Sequence, residues 1–420
     1  PSLRHHRTTF RAFVPGERFE ANPGGPPEER SKAQASRSFS GRPRIPSHHR
    51  KGLPPLTSLH ASATKNAIRN TTFEGAMDMH MADALLSPAV GGALWAVSAG
   101  LVGYAARKLD QDPAPSRAPL MGALGAFVFA AQMINFTIPG TGSSGHLGGG
   151  LLLAALLGPH AAFLVLTSVL AVQALFFADG GLLALGCNIF NMGFFSCFVA
   201  YPLIFRPMTG ENASSRRILG ASLAASIVGL ALGALAVVLE TGASGISSLP
   251  FGTFVLLMLP IHLAIGVGEG FITASVVLFA RRVQGIAPER SVSPGKPLVM
   301  ALVVLALLTG GVLSWFASTH PDGLEWSLFH ATGQEEVEGP ATSVHTALAN
   351  VQERTALLPD YALPASDISP ESSAPEGDAS WPAVSGGTSL AGIAGGLLTG
   401  LLALALGWGL RRRQACRASS

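Results

Sequence analysis

The sequence predicts an all-α integral membrane protein, with a seven-helix core and two further transmembrane helices flanking an extracytoplasmic segment. Three observations predict it. The 420 residues are 48% hydrophobic and 13% charged, with mean hydropathy +0.40, and the apolar residues come in successive runs of span length. Forty-nine glycines accompany those runs, as in helices that pack backbone to backbone in lipid. Every second loop between the runs is positively charged.

Residues 1–78 are rich in Arg, His, Pro and Ser and lack both the apolar core and the small-residue cleavage site of a signal peptide. They are expected to be an upstream or disordered extension outside the fold, with the working amino terminus at Met79. Apolar spans follow near 85–106, 119–136, 147–157, 161–177, 185–205, 218–239 and 251–280, the third short and the last interrupted by Pro260. Two more lie at about 297–316 and 388–410; in the second, Gly392, Gly396 and Gly400 repeat at the spacing of a helix-packing face. The acidic loop between them, 318–387, is rich in Pro, Ser and Ala and is expected to be weakly structured.

Arg107, Lys108 and Arg117 follow the first span, Arg206, Arg216 and Arg217 the fifth, Arg281, Arg282, Arg290 and Lys296 the seventh, and Arg411, Arg412 and Arg413 the last. The alternate loops carry almost no positive charge. Positive residues stay on the cytoplasmic side, so Met79 is expected outside and the C-terminus inside. The sequence pI near 9 does not indicate a nucleic-acid partner: 13 of the 28 Lys and Arg precede Met79 against six acids, and the remainder is net acidic. Cys187, Cys197 and Cys416 are too few and too scattered for a disulfide framework or thiolate cluster.

A chain beginning at Met79-His80 is a chelator. The terminal amine, the His80 amide nitrogen and the His80 Nδ1 form fused five- and six-membered rings in one plane. That tetragonal nitrogen set suits Ni(II), Cu(II) or low-spin Co(II) better than Zn(II). On the same side lies the loop 137–150, whose glycines let backbone dip into a protein-lined cavity and whose sole imidazole is His146. The loop lacks the Lys-Ser/Thr ending of a phosphate cradle, and no Walker sequence occurs, so the chain is not expected to hydrolyse ATP itself. Polar residues within the spans are the remaining candidates: Gln132 with Asn135 and Asn188 with Asn191, each pair on one helix face, and His262 and Glu269. They serve either as interhelical hydrogen bonds or as support for metal ligands. Asp179 reads as a loop cap.

Met79-His80 with Asp83 and Leu86-Ser87-Pro88, then Gly145-His146-Leu147-Gly148-Gly149, Phe177 to Leu182 and Gly186 to Gly193 jointly resemble the CbiM/NikM substrate-capture subunits of cobalt and nickel energy-coupling-factor transporters, an ABC class. Phe316-Ala317-Ser318 and Pro321-Asp322-Gly323-Leu324-Glu325 are similar to the small CbiN/NikN companion subunit. The resemblance implies a natural fusion: a metal-capture domain at 79–283, a cytoplasmic linker at 284–296, a companion segment at 297–413 and a cytoplasmic tail at 414–420. It implies Met79, His80 and His146 as metal ligands; Asn135, Ser144, Asn188, Asn191, His262 and Glu269 are candidates for supporting or pocket residues. Met81, Ala82 and Ala84 replace the Ile, Pro and Gly common at the family's start.

The expected function is uptake of Ni(II) or Co(II) as transported substrate, with no permanent cofactor and no catalysis. The implied partners are a CbiQ/NikQ-type coupling subunit, CbiO/NikO-type ATPase subunits and membrane lipid. Three competing readings are a capture subunit for a small organic or vitamin-type substrate, indifferent to His80 and His146; a membrane hydrolase using Ser144 and His146; and a structural scaffold without metal affinity.

Overall fold

The computed structural model describes residues 80–111, 117–210, 212–245, 249–284, 295–334, 342–363 and 381–418. Met79, the extension 1–78 and most of the linker lie outside the described residues. A short 3-10 turn, Asp83–Leu85, leads to α1 (Pro88–Asp110), α2 (Arg117–Gln132), strands β1 (Phe136–Ile138) and β2 (Ser143–Gly145), α3 (Gly150–Leu157) and α4 (Pro159–Phe176). There follow α5 (Leu185–Thr209), α6 (Ser215–Ser244), α7 (Phe251–Gln284), α8 (Lys296–Gly311), α9 (Gly323–Thr332), α10 (Ser343–Thr355), a 3-10 turn at Pro359–Tyr361 and α11 (Gly386–Ala418).

The all-α membrane class holds. Among the described residues six helices, α1, α4, α5, α6, α7 and α11, are long and apolar enough to cross a membrane, and α2 and α8 are shorter apolar helices. The third expected span is α3, eight residues or about 12 Å of rise, too short to cross a hydrocarbon core of about 30 Å. Its residues are almost wholly buried, and Gly158-Pro159 turns the chain directly into α4. Pro260 does not break α7. In α5 the turns widen to a π-helix over Ile189–Phe205, with Pro202 inside it.

Small residues set the helix packing as the Gly392, Gly396, Gly400 spacing predicts. A Cβ on Gly122 would come within 2.9 Å of the Gly400 carbonyl, one on Gly310 would crowd Gly392, and Gly396 faces Ala126, so α8 and α11 seat on α2 and on each other. Two expectations are corrected. The glycine loop after α2 is an antiparallel hairpin pairing Phe136 with Gly145, Thr137 with Ser144 and Ile138 with Ser143. The acidic segment is not weakly structured where it is described: it carries α9, α10 and the Pro359–Tyr361 turn. Asp322 starts α9 with a capping box, its Oδ1 accepting the Leu324 and Glu325 N–H groups (both 2.8 Å) while Glu325 Oε2 accepts the Asp322 N–H (3.2 Å). This box is the physical content of the Asp-Gly-Leu-Glu sequence. Its glycine lets α9 lie against α7, where a Cβ would meet Ile261 at 2.7 Å.

Candidate metal-capture site

The residues before α1 are fastened like an inserted peg. Met81, Leu85 and Leu86 are buried, and Asn188 reads the peg's backbone from both sides: its Oδ1 accepts the Met81 N–H (3.1 Å) and its Nδ2 donates to the Met81 carbonyl (3.2 Å). Gly181 N–H donates to the same carbonyl, and Asp83 Oδ1 accepts the Ala184 N–H at 2.8 Å. Burial raises the Asp83 carboxyl above its ordinary value, against the opposing hydrogen bonds from Ala184 and Leu183. The peg and the turn before α5 thus hold each other, with the Asn188 side-chain amide spanning the Met81 N–H and carbonyl.

That clasp buries His80, 4% exposed. Its Nδ1 donates to Asp179 Oδ1 at 2.8 Å, and among the described residues its Nε2 has no hydrogen-bond partner. The turn that aims Asp179 inward needs two left-handed residues, Ala178 (φ 55°) and Gly180 (φ 78°). Asp179 is therefore no exposed loop cap. Its second oxygen accepts the Tyr361 hydroxyl from the segment after α10. Burial pushes the Asp179 carboxyl up, but the His80 imidazole, its hydrogen bond and the Tyr361 hydroxyl outweigh this and hold it below its ordinary value. Burial and the facing Asp179 carboxylate push the Tyr361 phenol well above its own.

His146 leaves the hairpin at Gly145 and brings its ring centroid to 5.2 Å from that of His80, tilted by 53°. Glu269 Oε2 accepts the Gly148 N–H at 2.9 Å, and Gln132 Nε2 donates to the Gly148 carbonyl at 3.1 Å. From the other side Ser144 donates its N–H to the Pro321 carbonyl (2.8 Å) and its hydroxyl to that of His320 (2.8 Å), tying the hairpin to the approach to α9. Asn135 is fixed likewise, its carbonyl accepting the Ser318 N–H at 2.7 Å. Asn135, Ser144 and Glu269 support the hairpin.

His80, His146, Asn188, Asn191 and His262 line one cavity of about 90 Å³, and Asp322, Gly323 and Leu324 are part of its wall. Asn191 donates its Nδ2 to Glu240 Oε2 at 2.8 Å, and the His262 Nδ1 donates to the Met258 carbonyl at 2.8 Å. Among the described residues no three of His, Cys, Asp and Glu gather into a ligand cluster. The cavity contributes two imidazoles at close range, His80 and His146, and Met79 adjoins His80 in the chain outside the described residues.

Sequence reasoning missed the depth of Asp179 and the whole contribution of Tyr361. Asp179 left a trace, a lone carboxylate between apolar residues in Phe177 to Leu182. Tyr361 left none.

Residues 80–286 match the family profile "Cobalt uptake substrate-specific transmembrane region", and residues 296–412 match the "PDGLE domain". A protein of Archaeoglobus fulgidus named for fused nickel transport, NikMN, is 32% identical over 80% of this chain and 98% of its own length. The fused nickel transport protein NikMN of Rhodobacter capsulatus is 33% identical over 55% of this chain and 72% of its own. A solved structure described as a transition metal transporter is 33% identical, covers 49% of this chain and 94% of its own, and superposes loosely, with a TM-score of 0.44. The Archaeoglobus relative, matched over nearly its whole length, and the two profiles carry the assignment: the chain belongs to the CbiM/NikM family of metal transport proteins, in the form fused to a PDGLE domain.

Proposed function

We propose that this multi-pass membrane protein is the ion-capturing component of a cobalt or nickel uptake system, a transport protein without catalytic chemistry of its own. The observation that carries the reading is the pairing of His80 and His146 at a cavity of about 90 Å³. Sites for drug-sized organic molecules occupy about 300–1,000 Å³. A cavity this small suits a desolvated ion and disfavours the vitamin-type alternative.

In this reading the Met79 amine, the His80 amide and Nδ1, and a His146 nitrogen form a tetragonal set for Ni(II) or Co(II). Residues 79–283 are the capture domain and 297–413 the companion, which covers the cavity through Asp322 to Leu324. Met79 faces outward and the C-terminus inward across a bacterial cytoplasmic membrane, supported by the alternation of positive loops. A coupling subunit of the CbiQ/NikQ type and ATPases of the CbiO/NikO type would drive release.

The test is calorimetry with Ni(II) and Co(II) on the purified protein. One ion per chain is expected, with affinity rising with pH because amine, amide and imidazoles must shed protons to bind. Absence of metal binding at every pH, or capture of an organic solute that His146→Ala leaves unchanged, would contradict the reading.

A further inference from the structure

The faces of α6 and α7 that line the cavity stay polar beyond it. On α6, Gly233 and Leu230 line the cavity, and Ser226 and Ser222 follow one and two turns farther along the same face. On α7, His262 and Ile265 line it, and Glu269 and Thr273 follow in the same way. The two helices lie close here: a Cβ on Gly266 would come within 2.7 Å of Ile227, and one on Gly270 within 2.7 Å of Leu223. Helix α3 packs against both. The series runs toward Arg281 and Arg282, the end of α7 expected in the cytoplasm.

All four side chains are buried. Among the described residues the Glu269 carboxyl is held by the Gly148 and Gly149 N–H groups rather than by a cation. Ser222, Ser226 and Thr273 have no hydrogen-bond partner among the described residues. Other helical hydroxyls of the chain do find one: Thr167, Ser168 and Ser275 each donate to the carbonyl four residues back, at 2.8 or 2.9 Å. An unpaired buried hydroxyl costs stability that Ala or Val would not, and a carboxyl within a membrane marks an ion pathway more often than a packing contact. Packing gives no reason for these groups to gather on the faces that extend the cavity, whereas a passing ion does.

Resting on ion capture at His80 and His146 and on the expected orientation, we propose that these faces form the inward route of the captured ion. The Glu269 carboxyl is its first station, and the hydroxyls of Thr273, Ser226 and Ser222 are oxygen donors beyond it. Nickel and cobalt are held better by imidazole than by such oxygens. Weak successive contacts let an ion move on, as conduction requires. Buried Ile218 and Val277 follow on the next turns, so apolar side chains close the route until the helices part.

The experiment separates capture from uptake. Ser226→Ala combined with Thr273→Val removes two hydroxyls with little change of shape, and neither residue lines the cavity. Calorimetry with Ni(II) on the purified variant, produced from Met79 onward, is expected to give wild-type affinity. Uptake of radioactive nickel is measured in the native host with its own copy replaced by each variant. It is expected to fall about tenfold, the rate that loss of one hydrogen bond's worth of stabilisation costs. Thr273→Ser, which keeps a hydroxyl, should take up nickel at the wild-type rate, and Thr273→Val should not. Undiminished uptake by the double variant, or affinity that falls in step with uptake, overturns the proposal and leaves the capture reading intact. Should the double variant fold poorly, equal uptake by Thr273→Ser and Thr273→Val overturns it instead. If wild-type protein binds no nickel, the capture reading falls and this proposal with it.

Discussion

Replacing His80 with alanine is expected to lower nickel and cobalt affinity by about 1,000-fold, or about 4 kcal/mol, with little effect on the helices. The figure takes about a quarter of a total binding of order 10–16 kcal/mol, the range for four-ligand structural zinc in zinc-finger peptides, as the share of one of about four nitrogen donors. His80 has no comparable packing role. It contributes one ring to a cavity wall, and the peg is held by Asn188, Gly181 and Ala184 through backbone and Asp83, not through the imidazole. His262→Ala is the matched control. It lines the same cavity, but its Nδ1 is committed to the Met258 carbonyl within its own helix, so its loss should cost far less. Calorimetry on the two variants checks the contrast. Equal losses would move the site toward α7.

Gly180→Ala is expected to be nearly as damaging to capture, by a different route. Gly180 sits at φ 78°, where an L side chain costs about 1–2 kcal/mol. An added Cβ would also come within 2.8 Å of the His80 Cβ and 3.0 Å of Asn188 Nδ2. The strain and the clash fall on the same clasp, so His80 is displaced from Asp179 and from His146, and affinity should fall by about 100-fold, or about 3 kcal/mol. Gly140→Ala separates the two causes: at φ 79° it carries the same backbone strain, but a Cβ there meets nothing within 4 Å. It should keep near wild-type affinity. Binding isotherms with circular dichroism as the fold check test the pair.

Much of the architecture was legible because lipid imposes long apolar runs and leaves charge only at their ends. The positions of α1, α4, α5, α6, α7 and α11 follow from that constraint. The Gly392, Gly396, Gly400 spacing was legible for the same reason, since only small residues allow the approach that α11 makes to α2 and α8. What hydropathy could not reveal is that the third run is an eight-residue half-helix, because a buried short helix and a span share one composition.

At the site, Met79-His80 and His146 stood out by chelate chemistry and by isolation in a glycine loop. Their meeting is visible only in three dimensions, where 66 residues of separation become ring centroids 5.2 Å apart. The companion's share was the least legible. Gln352 and Tyr361 lie in a segment whose Pro, Ser and acidic composition resembles disorder, and α10 has no buried residue of its own. It is ordered through hydrogen bonds from its side chains and the following turn to carbonyls of the capture domain, and that partner is not written in its own period of hydrophobicity.

The amine at Met79 distinguishes this account from any site built on side chains alone. The direct measurement is nickel binding by calorimetry and absorption on two purified forms, one beginning at Met79 and one retaining residues 1–78. The account predicts tight one-to-one binding with a planar-type absorption band in the form that begins at Met79, and loss of both when the amine is locked in a peptide bond to Asp78. Equal affinity and the same band in both forms would contradict the terminal-amine chelate and leave capture to the internal imidazoles.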